Sequence, residues 1–401
     1  MPLQFTWTDF PELYDDDSLV KKLRFKKNFS SDFQNLLIEG DNYPVLKILG
    51  EGVADFPNLT GAVDIIYIDP PYNTGNDFTY NDNFYVREAA GETGSPRATT
   101  IDRHSQWLSF MHRRLSAARP LLKQTGCIFI AIDQSELYTL KLLCDQIFGE
   151  ENFVNDFMWL HGKGKKDRWS RTLQQHTLCY ARCKAQLPAF REVQQTGWAT
   201  TNADNDPRGN WFSGSISFTE KRSNHNHKNY YSITSPSGKV WTRQWQTSEE
   251  EMKKLIEDNR IYWGTAPLYD KVPRVKIFNG DESEVIPRNI IEEVETTRAA
   301  QNHLDSLLER PGAFDNPKPV SLIKHLIEIT RQPSDSLILD FFAGSGTTFE
   351  SVCALNAQDG GHRCCILVQK DENGIAELCQ ERCHRTAAQY GVEMQFSSLE
   401  A

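Results

Sequence analysis

Short apolar runs alternate with helical patterns between residues 36 and 148. The runs at 36–39, 63–68 and 127–132 show no clean alternation of polar and apolar side chains, which is typical of strands covered on both faces. Helical spacing of apolar residues follows each run, at 43–49, 107–122 and 136–148. Strands separated by helices in this way predict an α/β fold with a parallel sheet.

The alternation stops near residue 160 and resumes near residue 311. Residues 161–310 are polar, rich in Ser, Thr, Asn, Trp and Tyr, and show little periodicity. Beyond them the sequence predicts helices at 318–331, 347–357 and 373–390 and strands at 337–341 and 364–369. We therefore predict one sheet split by an irregular insertion, with residues 1–160 and 311–401 as its two halves and 161–310 as the inserted domain.

Composition narrows the class of protein. The chain has 401 residues, 39% of them hydrophobic, and no apolar run long enough to predict a membrane span. Its nine cysteines and an acidic N-terminus without a signal-peptide pattern predict reduced thiols and a cytoplasmic location. The net charge of −10 excludes a generally basic surface, so a nucleic-acid partner would need a local basic patch.

The first candidate site is Asp69-Pro70-Pro71-Tyr72, at the end of the 63–68 strand, where open α/β sheets bind ligands. The Asp69 carboxylate and the Pro70 carbonyl can both accept hydrogen bonds from one exocyclic amino group, which would aim its nitrogen lone pair at an electrophile. Tyr72 offers a flat face on which a base can stack, and Pro71 stiffens the loop. Taken alone, these four residues are equally compatible with an ordinary turn.

The second candidate site is the run from Asp340 to Thr348, a strand-to-helix turn with Gly344 and Gly346. Glycines there let the backbone approach a ligand closely, and the following helix N-terminus favours a negative group. The run lacks the Gly-Lys-Ser/Thr end of a phosphate-binding loop and does not match the dinucleotide fingerprint. By itself this glycine pattern is a weak signal.

Together the two motifs resemble the β-class of DNA adenine-N6 methyltransferases, and particularly the methylation subunits of type III restriction–modification systems. The resemblance rests on residues 35–42, 67–78, 316–319 and 340–348, and it covers the two α/β blocks. The amino-group motif precedes the cofactor glycines, with the insertion between them, and this permuted order is the β-class signature.

The resemblance implies a seven-stranded, circularly permuted sheet that binds S-adenosylmethionine. Its methionine part would lie on the cofactor loop, which comprises Phe342, Ala343, Gly344, Ser345, Gly346 and Thr347. Asp340 would face the cofactor's amino end, Lys318 its carboxylate, and Asp41 its adenine. Where many such folds have an acid for the ribose, this chain has Gln369, and Asp371 or Glu372 could reach as well.

The implied reaction is methyl transfer to the N6 amino group of an adenine flipped out of double-stranded DNA, without a metal. Asp69 and Pro70 would orient N6, and Tyr72 would stack on the ring. The leading Asp favours adenine, because relatives acting on cytosine N4 usually begin this motif with Ser. A cytosine-N4 or RNA methyltransferase remains an alternative, as does a DNA-specificity subunit without catalysis.

The insertion contains the local basic patch that DNA binding would need. Residues 161–191 hold eight Lys or Arg and one acid, and a second cluster follows near residue 221. Interleaved tryptophans add the aromatic support typical of nucleic-acid contacts. The expected DNA contacts are Lys163, Lys165, Lys166, Arg168, Arg171, Lys221 and Arg222.

Further expectations concern metals and partners. Cys364, Cys365, Cys379 and Cys383 lack zinc-site spacing and are expected to be buried small hydrophobes. A homodimer is expected by analogy with the β-class, and sedimentation of a monomer alone at micromolar concentration would contradict it. Any restriction activity would come from a separate helicase–nuclease subunit, because this chain has no helicase motifs. The resemblance implies a bacterial, nucleoid-associated protein.

Overall fold

The computed structural model describes residues 5–7, 24–25, 35–52, 57–75, 82, 84, 100–161, 168–195, 199, 201–279 and 281–400. The chain divides into two compact units, one comprising Met1–Phe190 with Pro287–Ala401, the other Arg191–Ile286. Both boundaries of the second unit lie inside the 161–310 range that the sequence analysis assigned to the insertion.

The described residues of the first unit form a ten-stranded sheet. Its strands are β1 (Arg24–Phe25), β2 (Asn35–Glu39), β3 (Val63–Ile68), β4 (Leu122–Ile132), β5 (Phe153–Leu160), β6 (Gln174–Ala181), β14 (Ile290–Ile291), β15 (Leu337–Asp340), β16 (Cys364–Gln369) and β17 (Gln395–Glu400). They lie side by side in the order β1-β17-β2-β16-β15-β3-β4-β6-β5-β14. Strands β2, β16, β15, β3 and β4 run parallel, so their carboxyl ends meet at one edge.

Helices cover both faces of this sheet. They are α1 (Asn42–Glu51), α2 (Thr100–Ala118), α3 (Leu137–Phe148), α5 (Thr297–Leu308), α6 (Val320–Ile329), α7 (Thr347–Asp359) and α8 (Ile375–Tyr390). Residues of α1, α2 and α3 form one core with Leu36 and Ile38 of β2, whereas α6, α7 and α8 form the other with Leu37. Because successive strand residues enter opposite cores, both must be apolar, and this explains the missing alternation in the sequence.

The prediction of a parallel sheet is wrong beyond β4, where antiparallel strands join the sheet. Strand β6 lies between β4 and β5 and is antiparallel to both. At the opposite edge β1 is antiparallel to β17. Strand β6 falls inside the range that the sequence analysis treated as irregular, because the charged residues around it mask its apolar run.

The second unit is also more regular than predicted. It contains strands β7 (Glu192–Gln195), β8 (Trp211–Gly214), β9 (Tyr230–Thr234), β10 (Val240–Gln244), β11 (Ile261–Tyr262), β12 (Arg274–Phe278) and β13 (Glu282–Val285), with helix α4 (Glu249–Glu257). Trp245, Met252 and Trp263 belong to its own small core. Helix α4 begins with a capping box in which the Ser248 and Glu251 side chains satisfy each other's backbone N–H groups. The prediction of an irregular domain is therefore wrong. These elements were not predicted because short antiparallel strands with few apolar positions leave little periodicity in the sequence.

In the described part of the chain, no helix is long and apolar enough to span a membrane.

Candidate active site

A cavity of about 320 Å³ opens at the carboxyl edge of the parallel strands. It is lined by the residues that follow β2, β3, β15 and β16, together with residues of α2 and of the segment before α6. Its polar lining includes Asp41, Asn42, Tyr67, Asp69, Arg114, Asp315, Asn316, Lys318, Asp340, Ser345, Thr347, Thr348, Gln369, Lys370 and Glu372. Parallel strands that end together account for this convergence. The two candidate motifs therefore share one cavity.

The Asp69 carboxylate lies at the end of β3, because Pro70 and Pro71 cannot extend the ladder. Its Oδ2 accepts a hydrogen bond from Lys318 Nζ at 2.5 Å, and its Oδ1 accepts one from the Tyr72 hydroxyl at 2.5 Å. Lys318 Nζ also donates to the Tyr72 hydroxyl oxygen at 2.9 Å. Both oxygens of the predicted amino-group acceptor thus already accept hydrogen bonds from side chains of the chain itself.

The loop that carries Asp69 is held by buried partners outside the motif. The Trp107 indole donates to the Pro71 carbonyl at 2.7 Å. Asn73 has a positive φ of 58°, its backbone N–H donates to Asp82 Oδ1 at 2.7 Å, and its amide donates to Glu136 Oε1 at 2.6 Å. The Glu136 side chain is fully buried, so this contact fixes the exit of the loop. Such positioning keeps the acceptor groups in place without reorganisation.

The glycine loop turns tightly between β15 and α7. Its backbone bonds to the neighbouring strand: Ala343 N–H donates to the Val368 carbonyl at 3.2 Å, and Gly344 N–H donates to Gln369 Oε1 at 2.7 Å. Gly346 has a φ of +83°, and a Cβ there would lie 3.1 Å from Cys379 Sγ. Another residue at 346 would be strained and crowded at once.

Asp340 is a buried carboxyl group at the base of this loop. It accepts hydrogen bonds from Phe342 N–H at 2.9 Å and from the Thr348 hydroxyl at 2.5 Å. Burial, with a smaller contribution from the charge of Asp69, raises the pKa of Asp340 to about 7. Burial and the charges of Asp69 and Asp340 raise the pKa of the neighbouring Tyr67 phenol.

A buried ion pair supports the glycine loop between β15 and α7. Arg382 of α8 donates to Ser345 Oγ at 2.9 Å and to Thr347 Oγ1 at 2.7 Å, and its Nη2 donates to Glu350 Oε2 at 2.8 Å. The arginine and glutamate side chains are 1% and 3% exposed. His303 of α5 hydrogen-bonds the other Glu350 oxygen at 2.5 Å. Three helices are therefore tied to the loop through one charged cluster.

Three predicted cofactor residues have partners that the sequence does not reveal. Asp41 caps α1 by accepting from Tyr43 N–H at 2.9 Å and pairs with Arg114 Nη2 at 3.1 Å. Gln369 lines the cavity, but its amide oxygen already holds the glycine loop. Of the two acids after β16, Glu372 lines the cavity, whereas Asp371 accepts from Ala376 N–H at 3.2 Å.

Arg114 lines the cavity beside Asp41 and was not predicted from the sequence. Its guanidinium lies 3.5 Å from the Phe110 ring centroid, and burial lowers its pKa to about 10. The signal was present in the sequence, because Arg114 belongs to the same helical stripe as Trp107, Met111 and Ala118. A basic residue on the buried stripe of an amphipathic helix suggests a charged partner.

The predicted DNA contacts fall into three groups. Lys163, Lys165 and Lys166 lie outside the described residues. Arg168 and Arg171 are exposed in the first unit, where Arg168 lies 4.8 Å from the exposed ring of Trp169. Lys221 and Arg222 are exposed on a short 3₁₀ turn of the second unit. The two described pairs are on separate units.

The cysteines behave as the sequence predicts for small hydrophobes. Cys365, Cys379 and Cys383 are buried in the core of α6, α7 and α8, and Cys364 at the start of β16 is half-buried. In the described part of the chain, no three His, Cys, Asp or Glu side chains cluster as a metal site would require.

Comparison with known proteins identifies the family. The sequence profile of the family N6_N4_Mtase, described as DNA methylase, matches residues 63–381. The chain therefore belongs to this DNA methylase family.

Individual relatives are similar over most of the chain. The Mod subunit of the type III restriction-modification enzyme StyLTI of Salmonella typhimurium is 35% identical over 88% of this chain and 57% of its own length. The EcoPI Mod subunit of Escherichia phage P1 is 34% identical over 84% and 58%. The type II methyltransferase M.KpnI of Klebsiella pneumoniae is 30% identical over 77% and 76%. The chain thus spans less than two thirds of the length of these type III relatives.

The Arg382–Glu350 pair generates a stability prediction. Arg382→Met would leave the buried Glu350 carboxylate without its guanidinium and should lower the free energy of unfolding by about 3–5 kcal/mol. Arg385→Met, on the same helix but with a side chain 36% exposed, should change it by less than about 1 kcal/mol. Chemical denaturation of both variants measures this difference, and equal losses would contradict a special role for the buried pair.

Proposed function

We propose that this chain transfers a methyl group from S-adenosylmethionine to the N6 amino group of a flipped-out adenine in double-stranded DNA. One observation carries the proposal: the Asp69 motif and the Asp340 glycine loop line a single cavity. Methyl transfer requires the amino group and the methyl donor to be held within reacting distance, so the motifs that bind them must line the same cavity. Membership of the DNA methylase family supports the same reaction.

The charges of the cavity fit the amino-acid end of this cofactor. Asp340 is a buried carboxyl group suited to an ammonium, and the nearby Lys318 ammonium suits a carboxylate. Glycines at 344 and 346 leave the loop without side chains that would fill the space. Gln369 and Glu372 are the candidates for the ribose hydroxyls, and Asp41 for the adenine. Bound there, S-adenosylmethionine supplies a methyl group on a good leaving group.

The chain's own residues then orient the target base. Asp69 Oδ and the Pro70 carbonyl accept the two hydrogens of N6, which directs the nitrogen lone pair into the cavity. Tyr72 stacks on the ring, since its side chain lies beside Asp69 and is only half-buried. Pro71 is held by Trp107, and Asn73 by Glu136, so that the acceptors need not rearrange. Asp69 is also the nearest acceptor for the proton that the product amine releases.

The order of the strands in the sheet and along the chain supports the proposal of a permuted methyltransferase sheet. We propose β2, β16, β15, β3, β4, β6 and β5 as its seven strands, with β1, β17 and β14 as additions. The Asp69 strand precedes the glycine-loop strand along the chain, as the β-class order requires. Residues 161–310, which include the second compact unit, would then supply target recognition between the two catalytic segments 1–160 and 311–401.

DNA contacts are proposed for the exposed basic residues of the 161–310 range. The described candidates are Arg168 and Arg171 in one unit and Lys221 and Arg222 in the other, with Lys163, Lys165 and Lys166 retained from the sequence. Phosphate contacts make affinity fall with salt, so an unchanged salt dependence of DNA binding in a Lys221→Gln, Arg222→Gln double variant would contradict that pair's assignment. A homodimer is proposed by analogy with the β-class, and a separate restriction subunit because the type III relatives are named as Mod subunits of restriction-modification enzymes.

The reaction is tested by expressing the chain in bacteria that lack adenine methylation. Modification-sensitive long-read sequencing should find N6-methyladenine within one short motif. Asp69→Asn should abolish the mark, because the amide carries no negative charge and cannot take up the proton that the product amine releases. The matched control is Asp335→Asn, an exposed aspartate before β15, which should leave the mark unchanged.

An equal mark with Asp69→Asn and wild type would contradict the assigned role of Asp69. A mark on cytosine N4 would replace the proposed substrate. Equal melting temperatures of the two variants establish that loss of the mark is not loss of folding.

The raised pKa of Asp340 predicts how cofactor binding depends on pH. Only the ionised carboxylate attracts an ammonium, so affinity should rise as pH approaches the pKa of about 7 from below. Calorimetry with S-adenosylhomocysteine should give a dissociation constant about five- to tenfold larger at pH 6.0 than at pH 7.2. Asp340→Asn should bind more weakly and lose this dependence. An identical pH dependence in that variant would assign the titration to another group.

A further inference from the structure

Lys318 occupies the position that the proposed function reserves for the target amine. Its ammonium donates to Asp69 Oδ2 at 2.5 Å and to the Tyr72 hydroxyl at 2.9 Å. The lysine side chain is 9% exposed and the aspartate side chain 28% exposed, so water screens the pair only partly. An adenine amino group needs the same carboxylate as its hydrogen-bond acceptor. The ammonium and the base therefore compete for Asp69.

The backbone around Lys318 leaves movement to the side chain alone. Pro317 and Pro319 flank the lysine, Pro319 has a φ of −65°, and α6 begins at Val320. Proline locks its own φ and restricts the residue before it. The lysine side chain, in contrast, has four rotatable bonds and three equivalent donors. A rotation of this side chain can move the charge within the cavity without unfolding any element.

When the cofactor is bound, its carboxylate would be a second partner for the Lys318 ammonium in this cavity. Lys318, Asp69 and Asp340 all line it, and the proposed function assigns the ammonium of the cofactor to Asp340. The cofactor's carboxylate then lies in the same space as the lysine. A ligand carboxylate would compete with Asp69 for the Lys318 ammonium. If the ligand carboxylate pairs with Lys318, Asp69 loses its contact with the lysine.

We propose that Lys318 is a positioning residue that holds Asp69 in the free protein and moves to the carboxylate of the bound cofactor, so that cofactor binding frees Asp69 for the base. This inference rests on the proposed function and adds an order of binding to it. Because coupling between two sites is reciprocal, weakening the Asp69–Lys318 contact must strengthen cofactor binding. That consequence can be measured without DNA.

The test is a double-variant cycle read by calorimetry with S-adenosylhomocysteine. Asp69→Asn removes the competing anion and should tighten binding about five- to twentyfold. In a Lys318→Met background the same Asp69→Asn change should have no tightening effect, because no ammonium remains to be released. The decarboxylated form of S-adenosylhomocysteine keeps the ammonium and lacks the carboxylate. Its affinity should respond to neither substitution by more than about twofold.

Two results would overturn the role of Lys318. One is an unchanged or weaker affinity in Asp69→Asn. The other is equal tightening with and without Lys318, which would reflect simple removal of a negative charge near the ligand. Failure of the wild-type chain to bind S-adenosylhomocysteine at all would contradict the proposed function itself. Thermal melting of all four proteins controls for misfolding, and Lys318→Gln provides a second variant if Lys318→Met unfolds.

Discussion

The parallel pairing of β15 with β3 is the constraint on which the candidate active site depends. Ile338 pairs with Ile65 and Leu339 with Ile66, and both strands end at the same edge. Asp340 follows Leu339 directly and ends β15, and Asp69 comes immediately after Ile68, the last residue of β3. Two carboxyl groups from opposite ends of the chain thus face one cavity, close enough for Asp69 to raise the pKa of Asp340. Neither motif would form a site without this register.

Electrostatics then decides what the cavity can hold. Two carboxyl groups in a poorly solvated space repel each other, and the Lys318 ammonium is bound to Asp69. Asp340 instead relies on two hydrogen bonds and on a raised pKa. A zwitterionic ligand brings one charge of each sign, so it can neutralise Asp340 while competing for Lys318. In the order of binding proposed above, this arrangement admits the cofactor first and the base after it.

Much of this site follows from the sequence, for a physical reason. Strands β3 and β16 were predicted residue for residue, because burial on both faces requires uninterrupted apolar runs. The two motifs follow β3 and β15, and β15 was predicted only one residue too long, so their placement followed as well. Strand β6 was not predicted because the charged residues around it mask its apolar run. The second unit was not predicted because short or half-exposed strands leave no such signal. The partners of Lys318, Gln369 and Arg382 depend on tertiary contacts between distant segments, and no local pattern encodes them.

The central claim is that this cavity brings a methyl donor to the N6 amino group of adenine. The most direct measurement incubates the purified chain with unmodified bacterial DNA and S-adenosylmethionine that carries a deuterated methyl group. Mass spectrometry of the digested nucleosides then identifies the acceptor. We expect the deuterated methyl group on N6 of deoxyadenosine. Label on deoxycytidine instead of deoxyadenosine would contradict it.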